Sequence, residues 1–253
     1  MESLPLDLVE MILKRVPEKF RAIIALVCRE WLMLSPPWNE DICTNAAKGG
    51  HLELLQWARD LGCPWNVKTC AYAAKGGHLA VLQWARARGC PWDDWTCGYA
   101  AEGGHLEILQ WARSQGCPWD EDVCANAAWG GHFELLKWAR TQGCPWDWRT
   151  CACAAGGGYL EILQWAWVQD CPWEWICSYA ARGGQLAVLQ WLRAQGCPWD
   201  EHTCAQAAAR GHLEIIKWAR AQGCPWDERT CAKAVWGGHF ELLQWAREQG
   251  CPE

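Results

Sequence analysis

Cysteine and histidine are the residues of this sequence whose chemistry could go beyond packing, because both can bind metals and take part in catalysis. The 253-residue chain has 18 Cys, 7 His and 23 Trp. Cysteines recur in pairs with six residues between them, as in Cys63 and Cys70. Zinc sites instead favour about two to four intervening residues and a second pair behind the first. The spacing therefore favours cysteine as a small buried apolar residue over the alternative of a metal site, and we expect no metal.

One cysteine is an exception to this packing interpretation. Cys153 lies two residues after Cys151, at a position that differs between copies of a repeated unit. A thiol at such a surface position can react or be oxidised when its environment favours the thiolate. We therefore interpret Cys153 as a candidate reactive thiol.

Six of the seven histidines occupy one place in the repeated unit, the turn that opens its second helix. A catalytic base is not copied six times, whereas an imidazole ring can bond backbone groups on both sides of a tight turn. The sequence also has no nucleophile elbow, phosphate-binding glycine loop or paired-carboxylate site. We expect a protein with no catalytic activity and no cofactor, and a structural role for His51, His78, His105, His132, His212 and His239.

Charge and hydrophobicity argue against two classes of partner. Lys plus Arg number 23 and Asp plus Glu 29, so the net charge of -6 lacks the positive field that nucleic-acid binding needs. The longest apolar run near the start, Ala22 to Cys28, is far shorter than the roughly 18 residues needed to cross a bilayer. The start also lacks the pattern of a signal peptide. We expect no nucleic-acid or membrane partner and an intracellular location, cytoplasmic or nuclear.

A repeated unit of 27 residues accounts for most of the chain. The Trp that opens each unit recurs every 27 residues, except for one step of 26 between Trp173 and Trp199. Eight units span residues 36–250, and residues 1–35 are the only other segment. We predict two domains, 1–35 and 36–253. The opening tryptophans are Trp38, Trp65, Trp92, Trp119, Trp146, Trp173, Trp199 and Trp226.

The N-cap residues and helix-ending glycines of the unit predict two short helices. In the last copy, Asp227 is a good N-cap, and Gly237 and Gly238 suit the left-handed residue that ends a helix about nine residues later. A second helix begins near His239 and stops at Gly250. Neither helix is long enough to be stable alone, because nucleation is costly and each buries only one face. The units must therefore stack, and the predicted fold is an all-α helical solenoid.

Comparison of the eight copies separates constant positions from variable ones. The third, seventh and tenth residues after the opening Trp vary most, and these offsets share one face of the first helix. We call this set of positions the variable face. The opposite face holds small residues such as Thr69, Cys70, Ala73 and Ala74, which let neighbouring helices pack closely.

We predict that the variable face binds a target protein, because Trp and Tyr often anchor protein interfaces. The alternative is a solvated face on which substitutions are tolerated. Exposed Trp side chains argue against that alternative, since without a partner they reduce solubility. The predicted target-binding residues are Tyr72, Trp95, Tyr99, Trp129, Arg149, Trp175, Tyr179, Arg229, Lys233 and Trp236.

The constant Trp pair of each unit, such as Trp65 with Trp84, has a different interpretation. An aromatic residue repeated at a fixed offset indicates core packing, here in the space that leucine fills in longer repeats. A constant Arg, as in Arg59 and Arg86, is positioned to lie over these indoles as a cation–π partner.

The repeats resemble ankyrin repeats. Thr69, Ala73-Ala74, Gly77-His78-Leu79 and the closing Gly89 stand in the order of the ankyrin pattern over residues 36–250. The unit is shorter than the usual 33 or so residues, and Gln-Trp-Ala-Arg replaces two leucines. Short Trp- and Cys-rich repeats of this kind are also similar to those of large DNA viruses of amoebae. The resemblance implies a protein-binding array, and a host-cell location if the chain is viral.

The first 35 residues resemble the F-box. The matching residues begin with Leu4-Pro5 and end with Val27-Cys28-Arg29 and Trp31, at the separation that the motif requires. This resemblance implies an F-box-like helical module that docks on the Skp-type adaptor of a cullin-RING ubiquitin ligase. The residues that it assigns to adaptor binding are Leu4, Pro5, Leu8, Ile12, Leu13, Pro17, Leu26, Val27 and Trp31.

Together the two resemblances imply a substrate receptor of an SCF-type ubiquitin ligase, with an unknown target protein on the repeats. Two alternatives remain open. The first is an interaction scaffold or decoy whose N-terminal helices only cap the array. The second is an adaptor-binding protein that sequesters its partner without degradation.

Overall fold

The structure is a computed structural model that describes residues 40–60, 62–173 and 175–252. Every regular element in these ranges is an α-helix, and the helices alternate between the first and the second helix of each repeat. The chain divides into two compact units, residues 1–118 and 119–253, which we call the N-terminal and C-terminal units. The predicted all-α class is confirmed. The predicted boundary between residues 35 and 36 lies outside the described residues and stays a prediction.

The N-terminal unit contains three described helix pairs. They are α1 (Glu40–Lys48) and α2 (Leu52–Asp60), α3 (Val67–Lys75) and α4 (Leu79–Ala87), and α5 (Asp94–Glu102) and α6 (Leu106–Ser114). The C-terminal unit contains five pairs. They are α7 (Glu121–Trp129) and α8 (Phe133–Thr141), α9 (Trp148–Gly157) and α10 (Leu160–Val168), α11 (Ile176–Arg182) and α12 (Leu186–Ala194), α13 (Glu201–Ala208) and α14 (Leu213–Ala221), and α15 (Glu228–Trp236) and α16 (Phe240–Glu248).

Side-chain caps start five of the first helices, α3, α7, α9, α13 and α15. The Asn66 Oδ1 accepts a hydrogen bond from the Lys68 backbone N–H at 2.9 Å, and Asp227 caps α15 in the same way. The cap holds one of the backbone N–H groups that a helix start leaves unpaired. The predicted nine-residue helix after Asp227 is confirmed.

Glycine ends the helices by adopting a left-handed conformation. At the end of α4, Gly89 has φ +80°, the Gly89 N–H donates to the Arg86 carbonyl, and the Cys90 N–H donates to the Ala85 carbonyl at 3.0 Å. These two bonds form a Schellman motif, which pairs the last free carbonyls of the helix. The chain then reverses into the next repeat.

The core of each unit is made of small and aliphatic side chains. Thr69, Cys70 and Ala73 of α3 are fully buried, as is Leu82 of α4. Their small size lets first helices of neighbouring repeats pack directly on one another within each unit, and each second helix packs on the first helix of its own repeat. The predicted stacking surface is thus confirmed. No helix in the described ranges is long and apolar enough to span a bilayer.

The cysteines are part of this core. All the described cysteines are buried except Cys153, which is half-buried. The Sγ atom of Cys117 donates a hydrogen bond to the Asp93 carbonyl at 3.4 Å, and Cys144 does the same to Asp120. The interpretation of cysteine as a compact buried residue is therefore confirmed. Within the described ranges no cluster of three or more His, Cys, Asp or Glu side chains could hold a metal ion.

The constant tryptophans lie at the flank of each repeat rather than in its interior. Trp65 and Trp84 form an edge-to-face pair with ring centroids 6.0 Å apart, and both are half-buried, while Leu82 fills the interior. The predicted packing role is confirmed, because Trp199 and Trp218 pack against the buried core of the C-terminal unit.

The predicted cation–π contact of the constant arginine is confirmed. The Arg59 guanidinium lies 4.1 Å from the ring centroid of Trp65, and that of Arg86 lies 4.0 Å from Trp92. The same guanidinium donates a hydrogen bond to the carbonyl of the cysteine four residues later. Each arginine therefore ties the end of a second helix to the opening Trp of the next repeat.

The histidines join neighbouring repeats. The Nε2 of His78 donates to the Lys48 carbonyl at 3.1 Å, and the Nε2 of His105 donates to the Lys75 carbonyl at the same distance. The acceptor is the last residue of the first helix in the preceding repeat. The predicted structural role is confirmed, but the bond reaches the previous repeat instead of the far side of the histidine's own turn.

Candidate functional site

The variable face is exposed in the structure. Among its aromatic residues, Trp95, Trp129 and Trp175 are 57%, 58% and 64% exposed, and Trp236 is 85% exposed. Side chains of this size are seldom left so exposed in proteins that have no partner. The exposed positions follow from the sequence, because the opposite face of each first helix is used in stacking. The role of these residues in target binding stays a proposal.

In the N-terminal unit the variable face forms an aromatic cluster with charged neighbours. The ring of Tyr99 lies 5.6 Å from that of Tyr72 and 5.7 Å from that of Trp95. The Lys75 ammonium lies 4.9 Å from the Tyr99 ring centroid and forms an ion pair of 2.7 Å with Glu102. Burial is the main cause that raises the pKa of Tyr99 above its ordinary value, so the phenol stays neutral and available as a hydrogen-bond donor.

In the C-terminal unit two predicted target-binding arginines are engaged within the protein. Arg149 forms ion pairs with Glu121 and Asp122 of the preceding repeat and with Asp147, the N-cap of its own helix. Such pairs order long side chains and spread their charge over several carboxylates. The positive charge of Arg149 is therefore paired with carboxylates of the protein and is not free to bind a partner.

Arg229 has a similar set of partners one turn before Lys233. Its guanidinium lies 3.0 Å from a Glu201 oxygen, 2.6 Å from an Asp227 oxygen and 3.1 Å from the Nε2 of His202. Its positive charge is thus also balanced locally.

The sixth repeat contains a groove with a volume of about 600 Å³. Three first helices of the C-terminal unit, α9, α11 and α13, contribute its walls. Three aromatic rings stand against a set of polar groups, which is the composition of many ligand-binding clefts. The lining residues are Trp148, Trp175, Ser178, Tyr179, Arg182, Asp200, His202 and Gln206.

Hydrogen bonds fix the polar side of this groove. The Asp200 Oδ1 accepts from the His202 backbone N–H at 3.0 Å, and its Oδ2 lies 3.4 Å from the His202 Nδ1. Arg182 is exposed and forms no ion pair with a carboxylate of the described residues. Burial first, and then the positive charges of Arg229 and Arg182, lower the pKa of Lys233. Among the lining residues, Arg182 is the cation and Asp200 the carboxylate.

Sequence reasoning found only part of this site. Trp175 and Tyr179 are predicted site residues that the structure brings together, whereas Trp129 and Trp236 form no ring pair with another described residue. The reasoning missed several lining residues because it followed three offsets and gave less weight to the single 26-residue step. The lining residues outside those offsets are Trp148, Ser178 and Asp200, whereas Arg182, His202 and Gln206 lie on the variable face but were not among the predicted target-binding residues.

The candidate reactive thiol is not supported by the structure. Cys153 is half-buried in α9, and burial raises the pKa of its thiol from an ordinary value near 9 to about 11. A reactive cysteine needs a lowered pKa, so the interpretation of Cys153 as a reactive thiol is wrong. The nearby guanidinium of Arg149 favours the thiolate, but less than burial opposes it.

The predicted adaptor-binding residues, from Leu4 to Trp31, lie outside the described residues. The family comparison covers this segment. Residues 1–35 match the F-box domain family model, which agrees with the resemblance seen in the sequence. No curated protein matches the chain.

Solved structures of other proteins are similar to this chain, and one of them is an ankyrin repeat domain. The crystal structure of the human ASB11 ankyrin repeat domain matches with a TM-score of 0.48 and 15% sequence identity, and the match covers 62% of this chain and 84% of that chain. The all-α class itself follows from the helix pairs described above. This chain therefore combines an F-box match at residues 1–35 with stacked helical repeats.

Proposed function

We propose that the chain is a substrate receptor of a cullin-RING ubiquitin ligase. Residues 1–35 bind the Skp-type adaptor, and the repeats, residues 36–253, bind a target protein through the variable face. The observation that carries the proposal is the F-box match directly before repeats whose variable face exposes four tryptophans. The adaptor-binding residues are those of the F-box motif, from Leu4 and Pro5 to Trp31.

The mechanism in this proposal is proximity. A receptor that holds the ligase at one end and the target at the other raises the effective concentration of target lysines near the conjugating enzyme. Such a receptor has no need of a catalytic residue or a cofactor. It works where the ligase is found, so we propose an intracellular location, cytoplasmic or nuclear, and the host cell if the chain is viral.

The exposed aromatic side chains support the target-binding half of the proposal. Tryptophan in the centre of an interface commonly contributes about 2 kcal/mol or more to binding, because a large apolar area is removed from water. Trp95 in the N-terminal unit lies beside Tyr72 and Tyr99, so the three rings offer a contiguous aromatic surface. Trp175 and Tyr179 offer a second one in the C-terminal unit.

A pull-down with a purified eukaryotic Skp-type adaptor tests the adaptor half. We expect the full chain to retain the adaptor and the Leu8→Asp variant to lose it, because a charge at this apolar position of the motif opposes burial in a partner. Trp236→Ala is the matched control, since it removes an exposed residue of the last repeat. It should retain the adaptor. Absence of binding by the full chain would contradict the proposal and favour the scaffold or decoy alternative.

The half-life of the target distinguishes a substrate receptor from a protein that binds the adaptor but only sequesters its target. If the chain delivers its target to the ligase, the half-life of the target in cells falls when the chain is expressed, and Leu8→Asp restores it. If the chain only sequesters the target, the half-life stays unchanged or rises although the adaptor binds. Both outcomes are measured with the full chain and the Leu8→Asp variant.

A further inference from the structure

The junction between the fifth and sixth repeats differs from the other junctions of the C-terminal unit. At those junctions an arginine near the end of the second helix joins one repeat to the next. The Arg193 guanidinium, for example, lies 4.1 Å from the ring centroid of Trp199 and donates a hydrogen bond to the Cys197 carbonyl. In the fifth repeat Trp167 replaces this arginine. The Trp167 ring packs edge to face on Trp173, but the positive charge and the charge-assisted hydrogen bond are lost.

The histidine contact is missing at the same junction. In the seventh repeat the His212 Nε2 donates to the Arg182 carbonyl of the sixth repeat at 3.1 Å. Gln185 holds the corresponding place in the sixth repeat, and its Nε2 donates instead to the Gly183 carbonyl of its own repeat at 3.0 Å. The fourth-to-fifth junction also lacks the histidine, but it retains the arginine contact through Arg140. Among the described residues of the C-terminal unit, only the fifth-to-sixth junction therefore lacks both contacts.

Two strained residues flank this junction. Asp170 replaces the glycine that closes the other repeats and has φ +54°, and Trp175 has φ +62°. In the described part of the chain they are the only non-glycine residues with positive φ. A non-glycine residue in this left-handed region is strained, and the surrounding packing must hold it there. The junction thus carries backbone strain in addition to its missing contacts.

The sixth repeat also begins with a shortened helix. Its sequence reads Trp173-Glu174-Trp175 before Ile176-Cys177, with one residue fewer than the fifth repeat has at this place. Helix α11 has seven residues, where the first helices on either side have ten and eight. Trp175, the residue before it, makes no side-chain cap hydrogen bond. Because a short helix without a cap is weak on its own, the sixth repeat depends more than the others on its neighbours.

We propose that the fifth and sixth repeats meet at a joint, where the C-terminal unit opens locally while the repeats on both sides stay folded. The stability of a stacked array is a sum of repeat and nearest-neighbour terms, so the array separates first at its weakest interface. The packing of α9 on α11 holds this interface, together with a ring pair between Trp148 and Tyr179 at 5.8 Å. Opening lets the sixth to eighth repeats turn as one block, so the variable face can change its curvature.

The buried cysteines give each junction its own reporter. Cys171 of the fifth repeat contributes to the raised pKa of the Cys124 thiol in the fourth, so that thiol faces the following repeat. Cys151 and Cys177 hold the same place in the fifth and sixth repeats. The three thiols, Cys124, Cys151 and Cys177, are 0%, 1% and 1% exposed. A thiol buried in this way reacts only when its junction opens, so its alkylation rate measures that opening.

Alkylation of the native full chain tests the proposal. The protein is incubated with iodoacetamide, and tandem mass spectrometry follows each cysteine and separates Cys151 from Cys153. We expect Cys151 to react at least about tenfold faster than Cys124 and Cys177, because the missing contacts lower the free energy of opening. A Cys151 rate within about twofold of both other rates would overturn the proposal.

A restoring variant tests the cause. The triple variant Trp167→Arg/Asp170→Gly/Gln185→His gives this junction the residues of the other junctions. It adds contacts and removes strain, so the fold is kept. We expect Cys151 in this variant to react at least about tenfold more slowly than in the wild type, at a rate close to that of Cys124. If the Cys151 rate does not change, the missing contacts do not create a joint and the proposal is wrong.

The reverse variant is the matched control. Arg193→Trp/Gly196→Asp/His212→Gln places the residues of the joint at the sixth-to-seventh junction. We expect Cys177 to react at least about tenfold faster in this variant, while Cys124 keeps its wild-type rate. An unchanged Cys177 rate would contradict the proposal, because the same three residues would then loosen no junction. These measurements do not involve adaptor capture by residues 1–35, so the joint and the proposed function are tested separately.

Discussion

The imidazole ring of His105 packs against Gly77 of the preceding repeat, so that a Cβ on residue 77 would lie 2.7 Å from the His105 Cε1. The Nε2 of the same ring donates to the Lys75 carbonyl at 3.1 Å. The other side of the ring lies against Gly103 of its own repeat. The histidine ring thus fills the space beside two glycines, one in the preceding repeat and one in its own. By this contact the Gly-Gly-His sequence connects adjacent repeats. Tyr159 fills the same place between Gly131 and Gly157.

Alanine at Gly77 should destabilise the protein more than alanine at Gly89. Both residues have φ +80°, so both substitutions cost the roughly 1–2 kcal/mol of a left-handed alanine. Only residue 77 also meets a ring, whereas no atom lies within 4 Å of a Cβ at Gly89. We expect an extra cost of about 1–3 kcal/mol for Gly77→Ala, measured as the shift in the free energy of unfolding in urea.

A double-mutant cycle checks the cause. If the extra cost comes from the His105 ring, Gly77→Ala in a His105→Ala background should cost no more than Gly89→Ala. An equal cost of Gly77→Ala with and without the ring would contradict this account.

Valine at Thr96 should stabilise the protein. The Thr96 side chain is fully buried, and its Oγ1 has no hydrogen-bond partner among the described residues. Three other repeats carry an apolar residue at this place, Ile42, Val123 and Ile176, and the last two are fully buried. Replacing the unpaired hydroxyl by a methyl group removes a desolvation cost, so we expect a gain of about 1 kcal/mol in the free energy of unfolding. Thr96→Ser keeps the hydroxyl and loses the methyl group, and it should destabilise the protein.

Glutamine at Arg86 should weaken the contact between consecutive repeats. The guanidinium lies over the Trp92 ring and donates to the Cys90 carbonyl, so its loss removes both a cation–π contact and a charge-assisted hydrogen bond. We expect a cost of about 1–2 kcal/mol, measured by thermal or urea unfolding. Arg86→Lys retains the positive charge but lacks the planar guanidinium, so its stability should lie between that of the wild type and that of Arg86→Gln. The Trp92 fluorescence environment should change in the glutamine variant.

Glycine at Trp175 should raise stability. The backbone there has φ +62°, which is unstrained for glycine and costly for tryptophan. We expect a gain of about 1 kcal/mol in the free energy of unfolding, less the apolar contacts that the indole makes. Calorimetry on the wild type and the variant measures it. A large loss of stability would show that the indole is needed for folding.

Alkylation of Cys153 in the native protein should be slow at neutral pH. Burial raises the pKa of the Cys153 thiol to about 11, so its thiolate fraction at pH 8 is about a hundredfold below that of an ordinary cysteine with a pKa near 9. We expect the iodoacetamide rate at Cys153, followed by mass spectrometry, to rise with pH up to about 11. Rapid labelling at pH 7 would contradict the assigned pKa.

Stability should decline at alkaline pH for the same reason. A hydrogen bond to Cys90, followed by burial, raises the pKa of the Cys70 thiol, and similar causes act on Cys124. These groups are neutral when folded but ionise near pH 9 when the chain unfolds. Their contribution to stability is therefore complete below pH 9 and is lost as the pH rises toward the folded pKa values. Urea unfolding at pH 7, 9 and 10.5 measures the decline.

Repeat boundaries and helix lengths could be predicted from the sequence because they depend on local chemistry. Asp227 as an N-cap and the glycines that follow α15 act within a few residues, and eight copies reveal them without any homologue. The stacking face could also be predicted, since small residues recur at fixed offsets. The half-buried position of Trp65 and Trp84 could not be predicted, because it depends on how closely α3 packs on its neighbours in space.

The groove in the sixth repeat could not be predicted from local sequence patterns. The 26-residue step before Trp199 was visible, but its effect depends on how the backbone absorbs one lost residue. The chain could have shortened a turn, and instead it lost the first turn of α11 and placed Trp175 in a left-handed conformation. The signal that could have located the site is the coincidence of a missing N-cap Asp with an extra Trp at position 148 of the preceding repeat.

The one-residue deletion also has a consequence for how such a gene can change. A repeat contacts mainly its immediate neighbours, so the loss of one codon alters a single helix start and leaves the other repeats to fold as before. Every copy of the unit contains the same place at which such a loss can occur. An array of this kind can therefore acquire a new cleft by one in-frame deletion, and it can acquire several by duplicating the shortened copy.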